Sequence, residues 1–211
     1  MPSSSSTLFE PRKSPLQARS TASVEAILHA TIQVLLRVGK ERLTTTRVAY
    51  RAGVSVGTLY QYFPNKKALL QAVLKRHLDG VAANVEQTCR EQIGNSLDQM
   101  GTALVTSFLQ AKMKDVKTSV ALYSVSSDVD GAKIVHEIGI KINKAMREMF
   151  ATSREPLKKD PQLVASILQD TMAGVSRRML ESATPEKEAE TLHRELIFFV
   201  RAYLAACSVE E

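Results

Sequence analysis

The amino-acid sequence predicts an all-α protein. Apolar residues recur at steps of three and four almost everywhere beyond Thr21, and no stretch alternates with period two over a useful length. Gly, Pro, Ser and Asn residues then cut this periodic chain into helices at positions suited to caps and turns.

In a first helix, Val24, Ile27, Leu28, Thr31, Leu35 and Val38 share one face. Gly39 ends it as a left-handed cap, with Arg37 and Lys40 beside the negative end of the helix dipole. Leu43 and the hydroxyl cluster Thr44–Thr46 lead into a short second helix, Thr45 to Ala52, which Gly53 stops. Ser55 caps a third short helix running to about Phe63, and Pro64 closes it. Asn65 caps a fourth, whose stripe is Leu69, Leu70, Val73, Leu74, Val81 and Val85.

Longer helices follow: one marked by Leu97, Leu104, Phe108 and Leu109, one from Val116 to Ser124, and one carrying Ile134, Val135, Ile138, Ile142, Met146, Met149 and Phe150. Arg154 to Pro161 reads as a loop. Two amphipathic helices, about Pro161 to Ser182 and Glu186 to Cys207, finish the chain.

Composition narrows the function classes. The 211 residues are 44% hydrophobic and 24% charged, an ordinary globular balance with net charge +6. Positions 1–80 hold twelve Lys/Arg and four acids, whereas positions 81–211 hold sixteen and eighteen. A basic first part on a near-neutral remainder points to a polyanionic partner for the first part.

Cys89 and Cys207 read as free thiols of a reducing cytoplasm, since two cysteines make neither a disulfide framework nor a four-ligand zinc site. No apolar run approaches the roughly 18 residues of a membrane span, Leu196 to Val200 being about the densest patch. Met1 to Ser20 lacks the apolar core of a secretory signal and reads as a flexible tail. The expectation is therefore a soluble, cytoplasmic protein. No Ser/His/Asp, Cys/His or metal-spaced cluster stands out, so an enzyme, a metal and a cofactor are not expected.

The chemistry concentrates in Leu43 to Lys67, LTTTRVAYRAGVSVGTLYQYFPNKK. Two short helices around Ala52-Gly53-Val54-Ser55 make a helix-turn-helix, with Gly53 supplying the positive φ and Ser55 the cap. Val48, Ala49, Val54, Leu59 and Phe63 face inward. Val56, Gly57, Thr58, Tyr60, Gln61 and Tyr62 face outward. That face is small at its start, where Gly57 permits close approach and Thr58 meets a thymine methyl or a phosphate. Tyr60, Tyr62 and Lys66 are placed to hold phosphates. The competing role for the two tyrosines is to pack the three-helix core. Arg42, Arg47 and Lys67 read as solvated charge that strengthens non-specific attraction.

This run resembles the DNA-binding domain of the tetracycline-repressor (TetR/AcrR) family. The matching residues are the first-helix pattern ending in Gly39, Thr44–Thr46, Val48-Ala49, Ala52-Gly53-Val54-Ser55, Gly57-Thr58-Leu59-Tyr60, Tyr62-Phe63, Asn65-Lys66 and Leu69-Leu70. The resemblance implies a nine-helix fold. Composition marks 1–19 as a disordered basic, Ser-rich tail, and the resemblance implies a helix-turn-helix DNA-binding domain over 20–66 and a helical ligand-binding and dimerisation domain over 67–211. It also implies a homodimer on a palindromic double-stranded operator, released by a small ligand. The DNA contacts it implies are Thr45, Thr46, Val56, Gly57, Thr58, Tyr60, Tyr62 and Lys66, with Gln61 added from the outward face.

In the last two helices, Leu168, Met172, Val175, Met179, Leu192, Leu196, Phe199, Val200 and Tyr203 form a broad stripe. It fits packing both within the chain and on a partner, a core hairpin of one chain being the alternative. For a small hydrophobic ligand the candidate lining is Met100, Leu104, Phe108, Met113, Tyr123, Met146, Phe150 and Met172, with His136 or Glu137 as polar anchor. The functional alternative to a ligand-released repressor is an architectural or division-linked DNA-binding protein on the same fold.

Overall fold

A computed structural model describes residues 15–208. Nine α-helices occur among them: α1 Pro15–Arg42, α2 Thr45–Ala52, α3 Val56–Tyr62, α4 Lys66–Glu91, α5 Leu97–Met113, α6 Val116–Ser126, α7 Gly131–Phe150, α8 Pro161–Glu181 and α9 Pro185–Cys207. A 3-10 turn, Ser127–Val129, joins α6 to α7. No strand occurs among the described residues; a single bridge pairs Leu157 with Ser208. The fold is thus the all-α one that the periodicity predicts. The chain divides into two units, Met1–Lys66 and Lys67–Glu211.

In the first unit, α1 begins at Pro15, where a proline suits the first helical turn because no intrahelical N–H is needed there. Positions 15–19, read from sequence as the end of a tail, therefore belong to the backbone of α1; positions 1–14 lie outside the described residues. Gly39, at φ 75° and ψ 170°, breaks the helix where the cap is expected, and the chain turns once more before Leu43. Ile27, Leu43, Val48, Ala49 and Leu59 are fully buried between the three helices. Thr31 joins them because its hydroxyl donates to the Ile27 carbonyl at 2.7 Å.

The stretch Ser20–Arg42 is long and apolar enough by length and composition to cross a membrane, with mean hydropathy 1.2. This corrects the expectation that no apolar run approaches the length of a span, because Ile, Leu, Val and Ala together raise the average of the stretch. Its Ile27, Leu28, Ala30, Val34 and Leu35 are buried in this core, which accounts for the apolar composition.

In the second unit, α5 packs on α9, and α8 packs on α7 and α9. The α5–α9 crossing depends on Gly101: a Cβ there would stand 2.7 Å from Leu204 Cδ1 and 2.9 Å from Val200 Cγ1. A capping box between Ser96 and Gln99 starts α5, and the Leu97 N–H donates to Glu155 Oε2 at 2.8 Å. Lys158 N–H donates to the Cys207 carbonyl at 2.8 Å, tying the α7–α8 loop to the end of α9. The Cys89 thiol is pushed up to about 12, mainly by burial, which leaves it unreactive.

On α4, His77 Nε2 lies 3.2 Å from Ser119 Oγ of α6. Burial first, and then the Lys112 ammonium, push its pKa from 6.5 down to about 4, against Asp115. Between those two values the unfolded chain binds the proton and the folded chain does not, so stability falls as pH drops from 6.5 to 4. The loss is at most about 3 kcal/mol, less after discounting for partial exposure. Denaturant titrations at several pH values should show this slope in the native protein and a flatter one in His77→Gln.

Candidate nucleic-acid interface

The first unit builds a rigid corner from short-range contacts. Thr44 Oγ1 accepts from Arg47 N–H at 3.3 Å and opens α2. Gly53, at φ 69° and ψ 29°, closes it; the Gly53 N–H reaches Tyr50 O and the Val54 N–H reaches Ala49 O at 3.0 Å. Two residues later, Ser55 Oγ accepts from Thr58 N–H at 2.9 Å and lies 2.8 Å from Thr58 Oγ1, which opens α3. The reversal thus takes three residues, and Val48, Ala49 and Leu59 lock the two helices together from inside.

On the outer side, Thr46, Val56, Gly57, Tyr60 and Gln61 are exposed, and Thr45, Thr58, Tyr62 and Lys66 are half-buried. Thr45 Oγ1 and the Tyr60 hydroxyl are 3.0 Å apart, so the start of α2 and the middle of α3 meet in one polar ridge. Thr58 carries its hydroxyl back to the Ser55 cap, 2.8 Å from Ser55 Oγ. At Gly57 a Cβ would meet only Ser55 Oγ, at 3.7 Å, an ordinary contact. Nothing in the protein's own packing requires glycine there.

The cations have more internal work than their sequence positions suggest. Lys66 Nζ donates to the Lys40 carbonyl at 2.6 Å, leaving two of its three N–H groups for another partner. Arg47 Nη1 donates to the Arg42 carbonyl at 2.6 Å, Arg42 Nε to the Val38 carbonyl at 3.2 Å, and Arg51 Nε to Gln33 Oε1 at 2.6 Å. These bonds hold the loop after α1 and fix the orientation of α2. Tyr50, absent from the sequence expectations, is 90% exposed on α2 beside Arg47 and Arg51. Its only sequence signal is an aromatic residue on the polar side of a short helix.

The second unit holds a cavity of about 570 Å³, walled by α4 to α8 and the turn between α6 and α7. Of the eight expected lining residues, Phe108, Tyr123 and Met172 line it. Met100, Leu104, Met146 and Phe150 are instead in the core, and Met113 packs against that core. His136 and Glu137 are exposed and outside the lining. Much of the wall is small or polar: Ser126, Ser127, Gly131, Ala132, Gly139, Ala173, Gly174 and Ser176, with Lys112, Gln169, Asp170 and Arg177 among the polar groups.

The expected dimer stripe also divides. Leu168, Met172, Met179, Leu196 and Val200 are buried within their own unit, because both sides of the doubled stripe are used by α5, α7 and the α8–α9 contact. Val175, Leu192 and Tyr203 are half-buried, and Phe199 is exposed and stacked on Tyr203 with ring centroids 6.5 Å apart. The large apolar side chains that α8 and α9 leave exposed are Leu163, Ile167, Phe198 and Phe199, Phe198 at 71% exposure.

Short helices, a three-residue turn, and a small-to-polar outer face on a basic unit define a helix-turn-helix DNA-binding protein. A family model described as "Bacterial regulatory proteins, tetR family" matches residues 27–73, and one described as "Tetracyclin repressor-like, C-terminal domain" matches residues 96–204. The chain belongs to the TetR family of bacterial transcriptional regulators, whose members bind DNA and as a rule act as dimers.

Among its relatives, the transcriptional repressor KstR of Rhodococcus jostii is 30% identical over 149 residues, covering 68% of this chain and 66% of that one. The nucleoid occlusion factor SlmA of Haemophilus ducreyi is 33% identical over 87 residues, 39% of each chain. In fold, a crystal structure from Mesorhizobium loti assigned to the TetR family covers 90% of this chain and 99% of that one, with TM-score 0.76 at 18% identity.

The Ser55 cap sets the start of α3, so Ser55→Ala should cost about 1 kcal/mol of stability. Thermal melting should register this as a fall of about 4–8 °C in a transition of the first unit, Met1–Lys66.

Proposed function

We propose that this protein is a dimeric repressor that holds a palindromic operator through two copies of α3 and releases it when a small apolar ligand enters the cavity of the second unit. The observation that carries the DNA reading is Gly57. The fold has room for a side chain there, so the bare backbone answers to something that approaches from outside. Val56, Gly57 and the Thr58 methyl meet base edges. Thr45, Thr46, Tyr60, Tyr62 and Lys66 grip phosphates on either side, and Gln61 reaches the groove edge. In a dyad-related pair the two α3 helices enter successive major grooves about 34–36 Å apart.

The dimer forms through the exposed faces of α8 and α9, with Leu163, Ile167, Phe198 and Phe199 as anchors and the exposed Ala202, Ala205 and Ala206 allowing close approach. Ligand occupancy is transmitted along α4, a single helix from Lys66 to Glu91 whose Leu78 and Val81 line the cavity. Near its start, Gln71 Nε2 donates to the Val129 carbonyl at 3.0 Å and Lys67 Nζ pairs with Asp130 at 2.7 Å. The segment they hold is flanked by Ser127 and Gly131 of the cavity wall. A coupling of about 1–3 kcal/mol between ligand and DNA would lower operator affinity roughly 5–150-fold.

The likeness to SlmA supports one other reading, an architectural DNA-binding protein without an inducer. Footprinting on the promoters beside the protein's own gene, repeated across the genome with and without apolar compounds, separates the two. A few palindromic sites lost on adding ligand support the repressor; many scattered, ligand-indifferent sites support the architectural protein.

Gly57→Ala should melt within about 1 kcal/mol of the native protein. It should nevertheless lose operator binding in a mobility-shift assay. Equal DNA affinity in that variant would remove α3 from the groove. Phe198→Glu should sediment as a monomer and bind a half-site no more weakly than the native protein does, while losing the palindrome.

A further inference from the structure

The cavity is largely apolar, yet its wall contains a cation that has no anionic partner among the described residues. Lys112 lies in the last turn of α5 and forms part of the wall. Its ammonium stands 5.9 Å from the centre of the Phe108 ring and makes no hydrogen bond or ion pair among the described residues. The acid nearest in sequence, Asp115, is already engaged: Oδ1 accepts from Thr118 N–H at 3.0 Å and Oδ2 from the Thr118 hydroxyl at 2.6 Å. His77, which Lys112 repels, stays neutral above about 4 and offers no negative charge. Burial lowers the pKa of Lys112, the sign of an ammonium that lacks a counter-ion.

A second polar group on the wall is incomplete. Gln169 Nε2 donates to the Gly139 carbonyl at 3.1 Å, which fixes the orientation of the amide, because the reverse would set two oxygens face to face. Its Oε1 is buried without a donor. An unsatisfied acceptor and an unpaired cation in the wall of one cavity are both costs that the chain bears when empty. The remaining charges of the wall are Arg177 and Asp170, so cations outnumber acids.

We propose that the ligand of this cavity is an apolar organic anion that carries an N–H or O–H group: its acidic group pairs with Lys112, its donor serves the Gln169 side, and its apolar body lies against Leu78, Val81, Val135 and Ile138. This assignment rests on the reading of the cavity as the effector site. It excludes apolar cations, which would meet the uncompensated ammonium in a poorly solvated space.

The test uses two fluorescent probes of nearly the same shape, both with a secondary amine N–H. They are 1-anilinonaphthalene-8-sulfonate, an anion, and N-phenyl-1-naphthylamine, which is neutral. The native protein should bind both, in competition with each other, and the anion more tightly. Lys112→Met should weaken the anion about tenfold, the scale of one charge-assisted hydrogen bond, and leave the neutral probe unchanged. The neutral probe thereby also reports that the variant is folded. Lys112→Arg should retain the preference for the anion. If neither probe binds the native protein, the effector-site reading fails and this assignment with it. If both bind and compete but Lys112→Met weakens them alike or not at all, the cavity stands as a ligand site and the anionic assignment is overturned.

Discussion

The reversal of the chain over Gly53, Val54 and Ser55 is the constraint on which the DNA-facing surface depends. A left-handed residue closes α2, and a serine cap opens α3 two positions later, so the angle between the helices is set by backbone hydrogen bonds rather than by side-chain contacts alone. Once that angle is set, Val48, Ala49 and Leu59 must point inward, and Gly57, Tyr60 and Gln61 must point outward. The 3.0 Å contact between Thr45 and Tyr60 is possible only because the corner brings the start of one helix to the middle of the next. A longer or looser turn would leave the same residues present and the ridge absent.

Charge has a different part here from the one a count of cations suggests. The guanidinium groups of Arg42, Arg47 and Arg51 bind the carbonyls of Val38 and Arg42 and the side chain of Gln33. They still contribute to the positive field of the unit, which draws in a polyanion and makes its affinity salt-dependent. Their first task is internal, holding the loop between α1 and α2. In the proposed complex, discrimination between sequences falls to an uncharged face, where shape and hydrogen bonding differ from one base pair to the next and charge does not.

Residues 43–63 were legible because their signals are local. Caps at Thr44 and Ser55 and a positive-φ glycine between them act over four residues or fewer, so residue type and spacing suffice to place them. The second unit resisted for a physical reason. Helical periodicity marks which faces are apolar, but it does not say whether an apolar face meets its own chain or a partner. Leu168, Met172, Met179, Leu196 and Val200 thus read as an interface and turned out to be core, whereas Leu163 and Phe198, on the other side of the same helices, are exposed.

The cavity shows the same limit in reverse. Large residues such as Met100, Leu104 and Met146 were the natural candidates for a lining, but large residues fill space. A void survives where side chains are too short to meet, as at Ser127, Ala132, Ala173 and Gly174, whereas Gly131 and Gly139 bring their backbones into close contact with Ser126 and Gln169. Ser127, Gly131 and Ala132 lie at or next to the turn between α6 and α7, whose intervening residues Val129 and Asp130 are bonded to Gln71 and Lys67 of α4. The shortness of the side chains at Ser127 and Ala132 opens the space beside a turn that is itself closely packed, with Gly131 against Ser126 and Val129 buried, and that is bonded to the start of α4. Since Lys66 to Glu91 is one unbroken helix, any displacement of the turn is borne by the residues that directly follow the DNA-facing unit in the chain.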